Sequence, residues 1–506
     1  MRARNVAVIA LCVAVLAPFA APARAQGFKD IEKRVVEKVL PNGLRLLVLP
    51  RPGAPIVSMV TYADVGGVDE NQNATGLAHI FEHMAFKGTT TIGTTDAAKE
   101  AAALRKVDAA FLELRAERSR RPRPDPGKVK ALEAAFAAAQ EEAQKFVVPN
   151  EFGEVLERNG VEGLNAFTSF DQTVYHYSLP SNRLELWAAL EADRFTNPVI
   201  REFHREKAVI MEEKRMGESQ PTRRLIDDFM PVAFKASMYR SFVIGQMSDL
   251  AAISREEAQA WFDRYYRAKN LTCVVVGDVD PKSAIPMLEK HLGKIPAGEK
   301  PRGVTTVEPP QRSEKRIAME DQSQPMLFIA YHKPDVNDPD NAAYDALSDV
   351  LGGGRSSRLY KALVKEQQIA LAVGTYTALG EKYPGLFLFY AVPNKGKTTL
   401  ECEAAVYAEI EKLKNAPVTP DELAGLKARA KSSFISSLGD NMGIAMQLAN
   451  AQNLRGDWRE MFKTLDAIEK VTAADLERVA KATFVKSNRT VGTIENVPAT
   501  VSTTAK

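Results

Sequence analysis

Residues Ile253–Val279 read ISREEAQAWFDRYYRAKNLTCVVVGDV and describe one helix followed by one strand. They pair without gaps with Val471–Val497, VTAADLERVAKATFVKSNRTVGTIENV, 218 residues further along the chain. Each copy has a serine or threonine that can cap a helix, then a helical stretch, an asparagine turn and a strand. The shared order predicts two similar halves, although one helix and one strand could also match by chance.

Both halves mix short apolar segments with amphipathic ones. In the first half, strands are expected at Leu44–Leu49, Ile56–Tyr62 and Thr173–Leu179, and helices at Gly76–Phe86, Leu184–Phe195 and Phe203–Arg215. In the second half, strands are expected at Met326–Tyr331 and Gly385–Ala391, and helices at Ala342–Leu351 and Pro420–Leu438. Adjacent strands without crossover helices favour an antiparallel sheet, so each half is predicted to be an α+β domain with helices covering that sheet.

Proline, glycine and charged residues mark the boundary between the halves. They predict a first domain at 26–297, a linker at 298–313 and a second domain at 314–506. Within the first domain, apolar residues recur at steps of three and four on both sides of a proline-rich turn. This pattern predicts an inserted antiparallel helical hairpin at about 97–148. Its arginines could contact a partner or form a solvated face.

The N-terminus is typical of an export signal. Two arginines precede an apolar run from Val6 to about Ala21, and small residues follow. The run is shorter than the ~20 apolar residues that span a bilayer, so we expect cleavage near Ala25/Gln26 and no integral membrane segment in the mature chain. The signal holds three of the 67 basic residues and none of the 64 acidic ones, which leaves a balanced mature protein. We therefore expect an exported, periplasmic protein in a two-membrane bacterium, with no nucleic-acid partner.

The segment His79-Ile-Phe-Glu82-His83 carries the chemistry. Residues four apart on a helix face the same way, so both imidazoles can reach one metal ion, and zinc suits them. Zinc lowers the pKa of a bound water to about 7, and Glu82 can then take a proton as general base. His-x-x-Glu-His is the inverse of the His-Glu-x-x-His order and is typical of inverzincins. The alternative is two surface histidines without a catalytic role.

The longer segment from Thr75 to Thr89, TGLAHIFEHMAFKGT, resembles the active-site segment of the insulinase-type zinc peptidases. This family includes pitrilysin, insulin-degrading enzyme and the mitochondrial processing peptidase, whose two-domain subunits are closest in organisation. The resemblance continues through GLNAFT at 163–168, LEAD at 190–193, EKAVIMEE at 206–213 and LGGGRSSRL at 351–359. It implies two homologous domains around a chamber and a zinc-dependent endopeptidase acting on peptides or unfolded polypeptide segments.

The resemblance also implies the remaining site residues. Zinc needs a third protein ligand and an open position, and Glu213 matches the glutamate ligand of the family. Glu206 matches a glutamate that supports the ligands, and a spacing of seven residues places both glutamates on one helix face. The family lays its peptide along a sheet edge through main-chain hydrogen bonds, and the matching positions are Asn165, Ala166, Phe167 and Thr168. A solvated charged helix and an ordinary strand end are the alternatives for these segments.

The second half departs from the family pattern. In active relatives this half supplies an arginine and, seven residues later, a tyrosine that bind substrate, but the matching positions hold Val364 and Leu371. Neither side chain can donate a hydrogen bond. We therefore expect one Zn²⁺ per chain, a non-catalytic second domain and a heterodimer with a homologous partner that supplies the pair. The alternatives are a non-catalytic scaffold subunit and a self-sufficient homo-oligomeric peptidase.

Overall fold

The computed structural model describes residues 30–496, so the predicted signal at 1–25 lies outside the described residues. Within this range, no helix has the length and apolar character needed to cross a membrane. The strands of the first half are β1 Val36–Val39, β2 Arg45–Pro50, β3 Ile56–Ala63, β4 Glu162–Thr168, β5 Thr173–Pro180 and β6 Leu271–Gly277. Those of the second half are β7 Lys315–Asp321, β8 Met326–Lys333, β9 Ala370–Leu379, β10 Gly385–Pro393 and β11 Arg489–Asn496.

Helices accompany the strands in both halves. The helices of the first half are Leu77–Met84, Ala97–Arg118, Pro126–Gln144, Glu151–Arg158, Leu184–Thr196, Phe203–Glu218, Pro221–Ala233, Met247–Ala252, Arg255–Tyr265 and Pro281–Leu292. Those of the second half are Asn341–Gly352, Thr399–Asn415, Pro420–Ser437, Asn441–Arg455, Glu460–Lys470 and Ala473–Thr483. The elements predicted from the sequence lie within three residues of their expected bounds, and the α+β class is confirmed.

The strands of residues 30–496 form two sheets of the same topology. Their orders are β1-β2-β6-β3-β5-β4 and β7-β11-β8-β10-β9, so the second sheet repeats the first without its edge strand β1. The expectation of purely antiparallel sheets was wrong, because β2 pairs parallel with β6 and β7 pairs parallel with β11. The last strand of each half inserts between two consecutive strands that run in opposite directions. It must therefore be parallel to one of them.

The helix and strand repeated at Ile253–Val279 and Val471–Val497 carry an asparagine with similar hydrogen bonds in both halves. Asn270 Nδ2 donates to the carbonyl oxygens of Tyr265 and Asp64, at 2.9 and 3.1 Å. Asn488 Nδ2 donates to the carbonyl oxygens of Thr483 and His332, both at 3.0 Å. Thr483 stands 218 residues after Tyr265, the same offset as the two asparagines. Each asparagine thus ties the end of its helix to the end of a strand from earlier in the same half, β3 for Asn270 and β8 for Asn488.

Each sheet is covered on one face by a helix from the other half. Residues alternate between the faces of a strand, and Leu47 and Leu49 of β2 pack against Ile444 and Leu448 of the helix Asn441–Arg455. In the second sheet, the corresponding face packs against the helix Pro221–Ala233 from the first half. This explains why every residue of β6 is buried. Although the predicted boundaries at 297 and 314 stay predictions, the two halves pack as one interlocked unit.

The predicted hairpin region contains two helices, Ala97–Arg118 and Pro126–Gln144, joined by a turn. Their shared apolar contacts lie near the base, where Ala103, Leu104 and Val107 are buried. Arg115 pairs with Glu257 outside the hairpin at 2.8 Å. The first helix of the hairpin is therefore held against the rest of the first half.

Replacing Asn270 with alanine should lower the free energy of unfolding by about 1–3 kcal/mol, because two largely buried carbonyl groups lose their donor. Chemical denaturation followed by circular dichroism measures the change. Asn415→Ala is the matched control, since Asn415 makes one exposed contact to Glu411 O, and it should cost under about 0.5 kcal/mol. Equal effects of the two substitutions would contradict the role given to Asn270.

Candidate metal centre

The helix Leu77–Met84, called the histidine helix below, is capped by a buried carboxylate. The first N–H groups of a helix have no partner within it. Glu70 accepts hydrogen bonds from the backbone N–H groups of Gly76 and Ala78, both at 2.8 Å. Burial raises the pKa of Glu70 to about 8, against the effect of these two donors. The contact fixes the start of the helix one turn before its first histidine.

The histidine helix buries one face and directs the other toward the metal site. Its buried side chains include Ile80, Phe81 and Met84, and Tyr175 Oη donates to the carbonyl oxygen of Phe81 at 3.0 Å. The motif residues occupy the remaining face, and they are His79, Glu82 and His83.

Both histidines meet Glu213, which comes from the helix Phe203–Glu218, called the glutamate helix below. His79 Nε2 and His83 Nε2 lie 3.8 and 3.9 Å from Glu213 Oε2. One ligand atom from each residue lies within 4.8 Å of the other two. Two ligands at about 2.1 Å from a tetrahedral ion are roughly 3.4 Å apart, so two nitrogens and one carboxylate oxygen with these spacings fit zinc.

Glu206 orients one of the two imidazoles. His83 Nδ1 lies 2.8 Å from Glu206 Oε1, which places the ring proton on Nδ1 and leaves Nε2 free to bind a metal. Lys87 Nζ holds the other oxygen of Glu206 at 2.6 Å. The hydrogen bond from His83 is the main reason that the pKa of Glu206 falls to about 2. Glu206 therefore stays ionised and keeps His83 in one tautomer.

The remaining groups of the site are also in a state that suits metal chemistry. Burial lowers the pKa of His79 to about 4, so this imidazole is neutral and able to coordinate. Glu82 Oε2 lies 4.0 Å from His79 Nε2, beside the ligand atoms. Burial raises the pKa of Glu82, while Thr168 and His83 act against the rise. Glu82 is thus a half-buried carboxylate that can exchange a proton at the site.

Neighbouring glutamates on the glutamate helix have different surroundings. Glu213 faces the histidines, whereas Glu212 is 61% exposed and pairs with Arg215 at 2.8 Å. The rotation of about 100° per residue explains the difference. The helix therefore brings Glu213 and Glu206, and not Glu212, to the two histidines.

The predicted peptide-binding residues lie on β4, at one edge of the first sheet. Within residues 30–496, β4 pairs only with β5, so its other side has unpaired backbone groups. Asn165 is exposed. Thr168 lies close enough to Glu82 to act on its pKa, which it lowers. Beside this edge, a cavity of about 420 Å³ is lined by His83, Phe86 and Leu164, among others. The edge, Glu82 and one of the candidate metal ligands, His83, therefore border the same space.

The two positions that depart from the family pattern lie in the second half. Val364 packs partly buried against the second core, and Leu371 on β9 is 57% exposed. Neither contributes a hydrogen-bond donor. Sequence reasoning missed Glu70 and did not assign Lys87, because a cap seven residues before a helix and a lysine after it have no spacing signal of their own.

Two sheets of one topology, with a His-x-x-Glu-His helix and a distant glutamate in the first half, define a two-domain protein with a zinc-type ligand set. Residues 46–111 and 140–245 match the family model described as insulinase (peptidase family M16), and residues 252–430 match the peptidase M16 inactive domain. The chain belongs to the insulinase family. Residues 112–139, most of the hairpin, are not matched.

Individual relatives agree with this assignment. The zinc protease PqqE of Helicobacter pylori is 25% identical over 464 residues, which cover 89% of this chain and 90% of the relative. A mitochondrial-processing peptidase subunit beta of Lentinula edodes is 22% identical over 456 residues, covering 87% and 86%. A crystal structure of a protease from Helicobacter pylori aligns with a TM-score of 0.75 and 23% identity, covering 91% of this chain and 99% of that one. The last comparison supports the fold.

Glu206→Gln should weaken zinc binding about 10- to 100-fold, because His83 loses the carboxylate that orients it. Competition with a chelator of known affinity measures the change. Glu212→Gln is the matched control on the same helix and should bind zinc like the unaltered protein. Equal affinities for all three proteins would contradict the role of Glu206.

Zinc binding should also weaken as the pH falls. Burial lowers and Glu206 raises the pKa of His83, and the net direction is upward from 6.5. Protons therefore compete with zinc for His83 at a higher pH than for an ordinary histidine. Zinc affinities measured from pH 8 to pH 5.5 should show the loss, and the pH at which the affinity begins to fall should be lower in Glu206→Gln, because the pKa of its His83 is no longer raised by a carboxylate. An unchanged pH of onset would argue against this coupling.

Proposed function

We propose that this chain is an exported zinc-dependent endopeptidase that hydrolyses peptides or unfolded polypeptide segments. The observation that carries the proposal is the convergence of His79, His83 and Glu213, with Glu82 beside them and not engaged as a ligand. A site for structural zinc would close the fourth position with another protein ligand, whereas a catalytic site leaves it open. Membership of a peptidase family supports the same conclusion.

Each residue of the site has its own role in the proposed reaction. His79, His83 and Glu213 would hold zinc, which when bound supplies a Lewis acid that polarises the scissile carbonyl and acidifies water. Glu82 takes a proton from the attacking water and returns it to the leaving amine. Burial raises the pKa of Glu82 toward neutral pH, which favours both uptake and release of the proton there. Glu206 keeps His83 in place throughout.

The free edge of β4 supports a peptide substrate. An extended chain can add to this edge through main-chain hydrogen bonds without regard to its side chains, and Asn165 is exposed for a further contact. Folded proteins offer few free extended segments. Peptides and unfolded segments are therefore the substrate class that this edge suits.

A homologous partner subunit completes the proposal. Charge that develops on the scissile carbonyl needs hydrogen-bond donors in addition to the metal, and Val364 and Leu371 cannot donate. A relative that is itself named as a subunit of the mitochondrial processing peptidase supports an assembly of two chains. The proposed partner supplies the arginine and tyrosine. Export rests on the sequence of residues 1–25.

Glu82→Gln should lower kcat for peptide cleavage by about 100- to 10,000-fold, since an amide cannot accept the proton. Zinc content should stay near one ion per chain, because Glu82 is not a ligand. Cleavage of a quenched fluorescent peptide and metal analysis measure the two quantities, in the presence of the partner. A variant with normal zinc and normal cleavage would refute the mechanism.

The partner requirement is tested by titrating this chain with its homologous subunit. Cleavage should be weak for the chain alone and should rise to a plateau at an equimolar ratio. Full activity of the chain alone would favour the self-sufficient homo-oligomer instead. A purified chain without zinc, and without activity at any ratio, would favour the scaffold subunit.

A further inference from the structure

Arg201 is a fully buried arginine that lies two residues before the glutamate helix. It is 1% exposed, and its guanidinium has five N–H donors. All five have acceptors: Glu100 Oε1 at 2.8 Å, Glu100 Oε2 at 3.1 Å, Lys87 O at 2.6 Å, Ile92 O at 2.7 Å and Thr89 O at 2.6 Å. Because each of its donors has an acceptor, the guanidinium fixes the positions of Glu100 and of the three carbonyl groups relative to one another.

Three of these acceptors belong to the loop that follows the histidine helix. The loop closes around the guanidinium, and its two glycines have left-handed φ angles of 90° at Gly88 and 87° at Gly93. A Cβ atom at either glycine would come within 2.6 or 2.5 Å of Arg201 Nη1. With the guanidinium at the centre of the loop, these two positions have no room for a side chain.

The same loop leads to the metal site. Arg201 holds the carbonyl oxygen of Lys87, and Lys87 Nζ holds Glu206 at 2.6 Å. Glu206 in turn orients His83 at 2.8 Å. Contacts no longer than 2.8 Å thus connect the guanidinium to a predicted zinc ligand.

The counter-charge comes from the first helix of the hairpin. Glu100 lies in Ala97–Arg118, is 1% exposed and makes both of its carboxylate contacts with Arg201. A buried charge that loses its partner is strongly destabilising, so Arg201 depends on Glu100. The base of the hairpin is in this way joined to the loop beside the metal site.

We propose that Arg201, neutralised by Glu100, is a positioning residue for the metal centre and acts on His83 through Lys87 and Glu206. The inference rests on the proposed zinc site. It gives the base of the hairpin a role in metal binding and leaves its tip, beyond Phe111, outside that role.

The test compares zinc affinity in Arg201→Lys, Lys87→Met and the double variant. Lysine keeps the charge but cannot span three carbonyl oxygens and a carboxylate. Each single substitution should lower zinc affinity about tenfold or more, in the range found for groups that support metal ligands. If Arg201 acts through Lys87, the double variant should lose no more than the larger single effect.

Two further variants distinguish a specific loss of zinc affinity from a general loss of structure. Glu100→Gln is close to isosteric and should also lower zinc affinity, even if Arg201→Lys folds poorly. Arg358→Lys is the matched control, because Arg358 makes a two-bond ion pair with Glu422 in the second half. It should leave zinc affinity unchanged. The absorption bands of the cobalt-loaded proteins should change in the Arg201, Lys87 and Glu100 variants and not in this control.

The outcomes distinguish a failure of the proposed zinc site from a failure of the role given to Arg201. If the unaltered protein binds no zinc, the proposed function fails and this inference fails with it. If the unaltered protein binds zinc and Arg201→Lys and Glu100→Gln bind it equally well, only the role of Arg201 is overturned. Additive losses in the double variant would also overturn it, because they would mean that Arg201 and Lys87 act independently.

Discussion

Three candidate ligand atoms lie within 4.8 Å of one another although Glu213 follows His83 by 130 residues. Without a metal, bringing these three ionisable side chains together costs free energy, because each of them loses hydration. The fold meets this constraint by fixing both helices at their ends. Glu70 caps the histidine helix, and Arg201 joins the loop after that helix to the start of the glutamate helix. The first sheet, whose central strands are buried, supports the histidine helix through Tyr175.

Charge at the centre is arranged in pairs that leave the metal-binding atoms free. Lys87 and Glu206 neutralise each other while Glu206 still accepts from His83. Arg201 and Glu100 form a second buried pair one loop away. Because both pairs are close to electroneutral, the carboxylates of Glu213 and Glu82 are left to offset the charge of a divalent cation.

The interlocking of the halves is the feature that local sequence patterns could not supply. A helix of the second half covers the first sheet, and a helix of the first half covers the second sheet. The apolar run of β6 indicated burial on both sides, yet nothing in it identified the covering helix. Likewise, the parallel pairs β2 with β6 and β7 with β11 depend on where the last strand of each half inserts. That choice is made by long-range pairing, which the alternation of side chains does not specify.

The sequence by itself predicted the two similar halves, the α+β class, the bounds of the main elements and His79 and His83 as a pair of candidate ligands. It could do so because helical periodicity, capping residues and the His-x-x-Glu-His spacing are short-range signals. Glu213 lies far along the chain, and only the family resemblance singled it out. Tertiary structure alone decided how Glu70, Lys87 and Arg201 support those ligands. Their contacts reach backbone atoms or join segments distant along the chain, and a carbonyl oxygen is present at every residue, so no residue pattern marks the ones that are used.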